Sequence, residues 1–279
     1  MKIEILYQAT YQYAEPVTFS PHVFRLIPRV DRSVKLRHFD FATNSNAVVY
    51  WRRDLFDNEV ASVFFPEPSP NLLTQLRLQL EVESKNAFGF LLESRALEMP
   101  FSYESRERCI LAPYLAGHPA PPLPFWQPPT DRKATVDLLS SLNSALFRNI
   151  QYERRQEGHA RTTAETLSLG RGACRDIAVV LVDMLRGLGL AARFASGYLC
   201  EYGETDKRAE GALHAWVETY LPGAGWIGLD PTNGTFCDHH HLTAAVGADI
   251  TDVAPIEGSY YHPTSVPHQM MAALEIHFE

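Results

Sequence analysis

A cysteine stands where a glycine-punctuated turn runs into an apolar stretch. Gly170-Arg171-Gly172-Ala173-Cys174-Arg175-Asp176 leads directly into Ile177 to Leu188, and that run predicts a buried helix with Cys174 in its first turn. The positive end of a helix favours thiolate over thiol, and thiolate is the nucleophilic form. His214 follows in Leu213-His214-Ala215-Trp216-Val217-Glu218, which alternates like a strand. Asp230 ends a second short strand, Trp226-Ile227-Gly228-Leu229-Asp230, before Pro231-Thr232-Asn233-Gly234. A nucleophile on a helix, with a base and an orienting carboxylate on neighbouring strands, fits acyl transfer through a thioester.

Each residue has a plainer reading. A buried cysteine is more often a small hydrophobe, and Cys109, Cys200 and Cys237 take that reading. Cys174 differs by Gly172 before it and the helix beginning at it. Asp176 cuts both ways: it can satisfy free helix amides, but a carboxylate nearby disfavours thiolate. Arg171 and Arg175 can compensate. The helix dipole supplies only about 0.3–2 kcal/mol, so a paired imidazolium must do most of the activation. His214 shares parity with Trp216, Glu218 and Tyr220, an unusually polar and aromatic face for a core strand. Asp230 could be a turn-starting aspartate. The loop Leu221-Pro222-Gly223-Ala224-Gly225 sets Tyr220 opposite Trp226, which puts Asp230 opposite Trp216 and diagonal to His214 on one face.

Cys237-Asp238-His239-His240-His241 competes for attention, because alternation could place Cys237, His239 and His241 on one side. Zinc needs four ligands, and no partner pair with standard spacing accompanies them. A solvated loop with His241 entering a strand is the reading taken, with no metal assigned.

The elements that must position these residues fall into two groups. Ile3, Ile5, Tyr7, Ala9, Tyr11 and Tyr13 alternate with polar residues, as do Leu72, Leu76, Leu78, Leu80 and Val82; such patterns mark half-buried antiparallel strands. Val48–Trp51 and Val60–Phe65 flank the turn-like Asp57-Asn58. Residues 1–111 are therefore expected to form a β-sandwich. From Ala112 to Thr130 the chain holds seven of its 19 prolines, Pro113, Pro119, Pro121, Pro122, Pro124, Pro128 and Pro129. Residues 112–130 read as a stiff connector without helix, with Trp126 packed on a domain surface. Residues 131–279 form the second expected domain, with a core of its own. Val136, Leu139, Asn143, Leu146, Phe147 and Ile150 share a helical face, and Thr162-Thr163-Ala164-Glu165 has capping-box spacing before a short helix that Gly170 can end. The cysteine helix ends at Gly187 or Gly189. Strands follow at Ala192–Cys200, Leu213–Tyr220, Trp226–Asp230 and Leu274–Phe278, giving an α+β fold of helices on an antiparallel sheet.

With 279 residues, 46% hydrophobic and 21% charged, the chain is ordinary for a soluble globular protein. A formal net charge of −8 and no long basic block argue against nucleic acid as a partner. No stretch approaches ~18 apolar residues, so no membrane span is expected, and Glu4 interrupts any apolar core a signal peptide would need. Four cysteines in a chain this long do not make a disulfide framework. A cytoplasmic location is expected.

Taken together, Gly170-Arg-Gly-Ala-Cys174-Arg-Asp, Ala192-Arg193, Ser196-Gly197-Tyr198, His214-Ala-Trp-Val-Glu and Gly225-Trp-Ile-Gly-Leu-Asp230-Pro-Thr-Asn-Gly resemble the core of the transglutaminase-like superfamily of papain-type cysteine enzymes. Tyr11-Gln-Tyr13-Ala-Glu-Pro16, Ser20-Pro21-His22 and Arg25-Leu26-Ile-Pro28-Arg29 resemble the N-terminal β domain of its bacterial branch, and His241 to Gly258 is similar to that branch as well. Ala248 departs from it, since an arginine is expected after Gly247. The resemblance implies catalytic Cys174, a general acid/base His214 and an orienting Asp230, acting on amide bonds without a redox or metal cofactor. Animal transglutaminases need calcium, and no calcium loop is recognisable here. The expected substrate is a peptide or other amide, with hydrolysis favoured over amine transfer, and Tyr152, Tyr198 and Trp216 are expected beside the cleft. The alternative is an inactive transglutaminase-like binding or scaffold protein.

Overall fold

Alternation in the first strand decides how the N-terminal part folds. In Lys2–Phe19 the side chains of Ile3, Ile5, Tyr7 and Ala9 are buried, and the antiparallel strand Ser69–Val82 sets Leu80, Leu78, Leu76 and Thr74 opposite them. Period-two burial on both strands makes one wet and one apolar face. Val34–Thr43 extends this sheet beyond Ser69–Val82. A second sheet of His22–Phe24, Val48–Arg53, Glu59–Phe64 and Ile256–Glu257 closes over it, and Phe24, Val63, Leu72 and Leu78 share the core between them. The computed structural model describes residues 1–117, 122–155, 158–200 and 213–278. The expected sandwich is present.

Three expectations need correction. The C-terminal strand, His268–Phe278, does not join the sheet of the second half. It pairs with Lys2–Phe19 from Ile3↔Phe278 to Tyr13↔His268, because the open edge of that first strand offers a row of unpaired N–H and C=O groups. Nor is the core of the first half its own, for Tyr198, Cys200, Leu242 and Ala244 are buried in it. The proline-rich stretch is not free of helix. Helix α1, Ser105–Leu115, contains Pro113; close to the C-terminal end, the proline forfeits a single intrahelical bond. Arg95 grips Glu107 through two bonds of 2.9 and 2.8 Å, while Glu107 accepts the Glu104 N–H at 2.8 Å, fixing the start of α1. Pro119 and Pro121 lie outside the described residues. Trp126 packs as expected, donating from Nε1 to Ser141 Oγ at 3.0 Å.

Helices α2 (Thr135–Asn149), α3 (Thr163–Leu169) and α4 (Cys174–Gly187) follow. Helix α4 buries Ile177, Val180, Leu181, Met184 and Leu185, an apolar stripe at helical spacing. Gly189, at φ 80°, turns the chain after it. An antiparallel sheet receives this stripe, in the order Thr235–Phe236, Gly225–Asp230, Leu213–Leu221, Ala192–Leu199 and His241–Gly247. Leu139, Leu181, Val217 and Leu229 are fully buried between helices and sheet. Truncating one of these leucines to alanine costs about 2–5 kcal/mol.

Candidate active site

Placement of Cys174 begins one helix earlier. Thr162 and Glu165 cap α3 reciprocally, Thr162 N–H donating to Glu165 Oε2 at 2.8 Å and Glu165 N–H to Thr162 Oγ1 at 3.3 Å. Gly170 ends α3 at φ 62°, and Arg171-Gly172 then pairs parallel with Gln151-Tyr152. A Cβ on Gly172 would lie 2.8 Å from Asp176 Cβ, so only glycine lets the turn press against the helix start. Asp176 is fully buried and its charge is consumed by this turn. It accepts from Ala173 N–H at 2.9 Å, Arg161 N–H at 2.8 Å and the Arg155 guanidinium at 2.6 and 2.8 Å. That settles its ambiguous role: Asp176 builds the helix start and is matched there by Arg155.

Across from this start, the hairpin has the expected register, with Tyr220↔Trp226 and Val217↔Leu229, although Leu221↔Gly225 pair as well and shorten the loop to Pro222-Gly223-Ala224, which keeps the parity. His214 and Asp230 therefore share a face. His214 is 2% exposed and its Nε2 lies 2.8 Å from Asp230 Oδ2. Nδ1 makes no hydrogen bond, and the Cys174 thiol is near enough to the ring to act on its charge. Asp230 is fixed by its own turn: Oδ1 accepts Thr232 N–H at 2.9 Å and Asn233 N–H at 3.3 Å, while Asn233 Nδ2 donates to Oδ2 at 2.8 Å. From α2, Asn143 donates to the main-chain oxygens of Asp230 and Thr235 at 3.3 and 3.0 Å.

The electrostatics follow from this packing. Burial pushes the Cys174 thiol up, but His214, the Ala215 N–H and the Arg175 guanidinium outweigh it, so the thiol sits below its ordinary value. Burial disfavours imidazolium at His214, yet Asp230 and Cys174 together raise it to about 10. Asp230 is held well below the carboxylate range, against its burial, by His214 and His241. Cys174 as a residue is half-buried. Its N–H, in the first turn of α4, has no acceptor within the helix. The arrangement can hold a thiolate–imidazolium pair beside an amide donor.

Of the expected cleft aromatics, Tyr152 lies beside the site: Gly172 pairs with it, and burial and the Cys174 charge raise its phenol. Trp216 is buried beneath the site, its ring 6.1 Å from that of His214 at 28°. Tyr198 is a correction. It points to the opposite side of the sheet, fully buried, and donates to Leu26 O at 2.8 Å; docking of the N-terminal sandwich against that side claims it. His241 is the functional neighbour that sequence reasoning left out. It begins the strand His241–Gly247, and its side chain is 3% exposed with Nε2 3.2 Å from Asp230 Oδ2. Its alternation with Leu242 was the one available signal. His239 does not join Cys237 and His241. Asp238, His239 and His240 instead bring three potential ligand atoms within 4.8 Å at the partly exposed turn, where His240 Nδ1 already contacts Asp238 Oδ1 at 2.9 Å. A concavity of about 550 Å³ lined by Leu6, Asp40, Phe41, Arg77 and Glu275 lies on the N-terminal sheet and includes none of these residues.

Residues 127–231 match the family model described as the transglutaminase-like superfamily, and residues 3–83 match the bacterial transglutaminase-like N-terminal region. Among solved structures, a candidate cysteine protease from Cytophaga hutchinsonii superposes with a TM-score of 0.71 at 17% identity, over 99% of this chain and 90% of that one. Among curated sequences, uncharacterized protein ML0607 of Mycobacterium leprae is 38% identical over 92 residues, 32% of each chain. Uncharacterized protein Rv2569c of Mycobacterium tuberculosis is 32% identical over 137 residues, 47% of this chain and 44% of that one. The matched stretch thus spans less than half of these curated relatives.

Proposed function

Because the chain belongs to the transglutaminase-like superfamily, we propose that it is a cysteine-dependent amidase or peptidase in which Cys174, His214 and Asp230 carry the reaction. One observation supports this above the rest: a buried imidazole bound to Asp230 at 2.8 Å on one side, with the thiol of half-buried Cys174 at the start of α4 on the other. The thiolate attacks the amide carbonyl, forming C–S, and the resulting oxyanion is met by the Cys174 N–H. His214 gives its proton to the leaving nitrogen as C–N breaks. Water then attacks the thioester while His214 takes its proton; C–S breaks, the acid leaves, and the thiolate–imidazolium pair is restored.

Hydrolysis is favoured over amine transfer because water is in vast excess and nothing in the sequence demands a channel that excludes it. All four cysteines are free thiols, which supports a reducing compartment and hence the cytoplasm. Among the described residues, no helix is long and apolar enough to cross a membrane. A peptide and amide library incubated with the full chain and with Cys174→Ala tests the reading. Product that appears with the first and not the second supports it; a thiol that never forms an acyl adduct with any of them favours an inactive scaffold. A labelled primary amine included in the assay separates the two fates of the thioester. Amine-bearing product in preference to free acid overturns the hydrolytic assignment and leaves the triad standing.

A further inference from the structure

Two imidazoles, not one, converge on the same carboxylate oxygen. Asp230 Oδ2 lies 2.8 Å from His214 Nε2 and 3.2 Å from His241 Nε2, with Asn233 Nδ2 at 2.8 Å as a third donor. The other oxygen is taken by the N–H groups of Thr232 and Asn233. His241 therefore cannot serve Asp230 without drawing on the oxygen that holds His214. It arrives from a strand that Ala192–Leu199 separates from the His214 strand. Trp216 fills the space between, its ring stacked on His214 and edge-on to His241 at 5.4 Å.

The groups facing His241 can be named from every side. Asp230 stands at Nε2, Asp238 Oδ1 lies 3.6 Å from Nδ1, and the Cys237 thiol adjoins the ring. His214 lies across the shared carboxylate, and Glu218, ion-paired with Arg193 at 2.7 Å, acts on Cys237. Burial disfavours imidazolium at His241, as does a long Asp238 N–H contact of 3.4 Å to Nδ1, but Cys237 and the two flanking carboxylates outweigh them. A positive charge at this place offsets part of the Asp230 charge that His214 feels.

We propose that His241 is a positioning residue for the acyl-transfer site, orienting the Asp230 carboxylate and loosening its hold on the His214 proton by sharing Oδ2. The inference rests on the reading of Cys174 as nucleophile. The consequence is chemical: His214 must surrender its proton to the leaving nitrogen, and an imidazolium gripped too tightly is a poor general acid.

The test is the pH profile of iodoacetamide labelling of Cys174 in the full chain, comparing wild type with His241→Phe, His241→Gln and Asp238→Asn. Labelling rises in two steps, the first as the thiol ionises beside imidazolium, the second as His214 loses its proton. His241→Phe removes both donor and charge, so the second step is expected to move up by about one pH unit, roughly tenfold in acidity. His241→Gln keeps a donor and loses the charge, and falls between Phe and wild type. Asp238→Asn weakens the charge on His241 from the solvent side, moving the step the same way by less, and it carries the test with Gln if the Phe variant does not fold. A second step unmoved in the folded variants overturns the role of His241 alone. A wild-type Cys174 with no low first step overturns the nucleophile, and this inference with it.

Discussion

The molecule contains two thiol–imidazole pairs that share one carboxylate oxygen. Cys174 faces His214, Cys237 faces His241, and both rings bond Asp230 Oδ2. Burial is the largest influence on both thiols and pushes both up. What separates them is what stands against burial. At Cys174 the Ala215 N–H and Arg175 add to the imidazole, and the thiol falls below its ordinary value. At Cys237 His241 alone opposes burial, while Asp230 and Glu218 side with it, and the thiol rises to about 11. Cys237 also lies so close over Gly228 that a Cβ there would meet its Sγ at 2.8 Å. A cysteine–histidine contact is therefore not by itself an activated thiol. The helix start, the amide donor and the cation make the difference.

Substitution at the two sulfurs should break that symmetry most sharply. Cys174→Ala is expected to lower amide hydrolysis by at least about a thousandfold, since no other group can form the thioester. Cys237→Ala should keep activity within about threefold, because its thiol stays protonated. Steady-state turnover of an accepted substrate measures both; comparable losses would mean that the two thiols act together. Asp230→Asn strikes both pairs at once. The amide cannot balance either imidazolium, and kcat should fall roughly ten-thousandfold, as in other triads that lose the carboxylate. Labelling of Cys174 should slow less than in His214→Ala, where the proton acceptor itself is gone.

The contrast can be sharpened by pH alone. In the folded chain Cys174 should take up iodoacetamide below the range of ordinary thiols, because its thiolate is stabilised. Cys237 should wait until about pH 11 and Cys200, raised by burial, until about pH 12. Cys109, exposed on α1, serves as the control for simple access. Mass spectrometry of partially labelled protein reads all four. Equal labelling of Cys174 and Cys237 near neutral pH would remove the distinction.

The activated pair was legible in the sequence, while its counterpart showed only as Cys237 and His241 on one side of an alternation and its tie to Asp230 was hidden, for a physical reason. Cys174 stands at a glycine turn before an apolar run, and an odd-length loop fixes the parity of His214 and Asp230; each is local information. The register with Tyr220 opposite Trp226 follows from loop length and is present. His241 reaches Asp230 across strands that are not neighbours in the chain, so no spacing announces the contact. Tyr198 shares its strand with site-facing residues, and only the docking of the sandwich decides which side it serves. The same limit hid the partner of His268–Phe278: its alternation was visible in part, but its pairing with Lys2–Phe19 joins opposite ends of the chain. In α1 only Leu111 is buried, so there was no apolar stripe to set against the proline signal.

The smallest expected effect concerns what supports the second pair from behind. Asn58, fully buried in the N-terminal sandwich, donates from Nδ2 to Val246 O at 2.8 Å and accepts the Val246 N–H on Oδ1 at 2.9 Å. It thereby pairs with the strand that begins at His241, as a neighbouring strand would. Phe56, from the same turn, packs with Cys237 against Ala195, Trp216 and Val246. Asn58→Ala leaves both main-chain groups of Val246 without this partner, and a buried unpaired group costs about 1–3 kcal/mol. Asn58→Asp retains the acceptor but turns a carboxylate toward the Val246 carbonyl, so it should not rescue stability. Denaturant unfolding measures the loss. Cys174 is anchored by α4 and by Asp176, on elements that Asn58 does not touch, so its labelling rate should stay within about twofold while that of Cys237 rises as its backing loosens. If both rates change alike, the sandwich steadies the two pairs equally, and the separation drawn between them is confined to their immediate electrostatics.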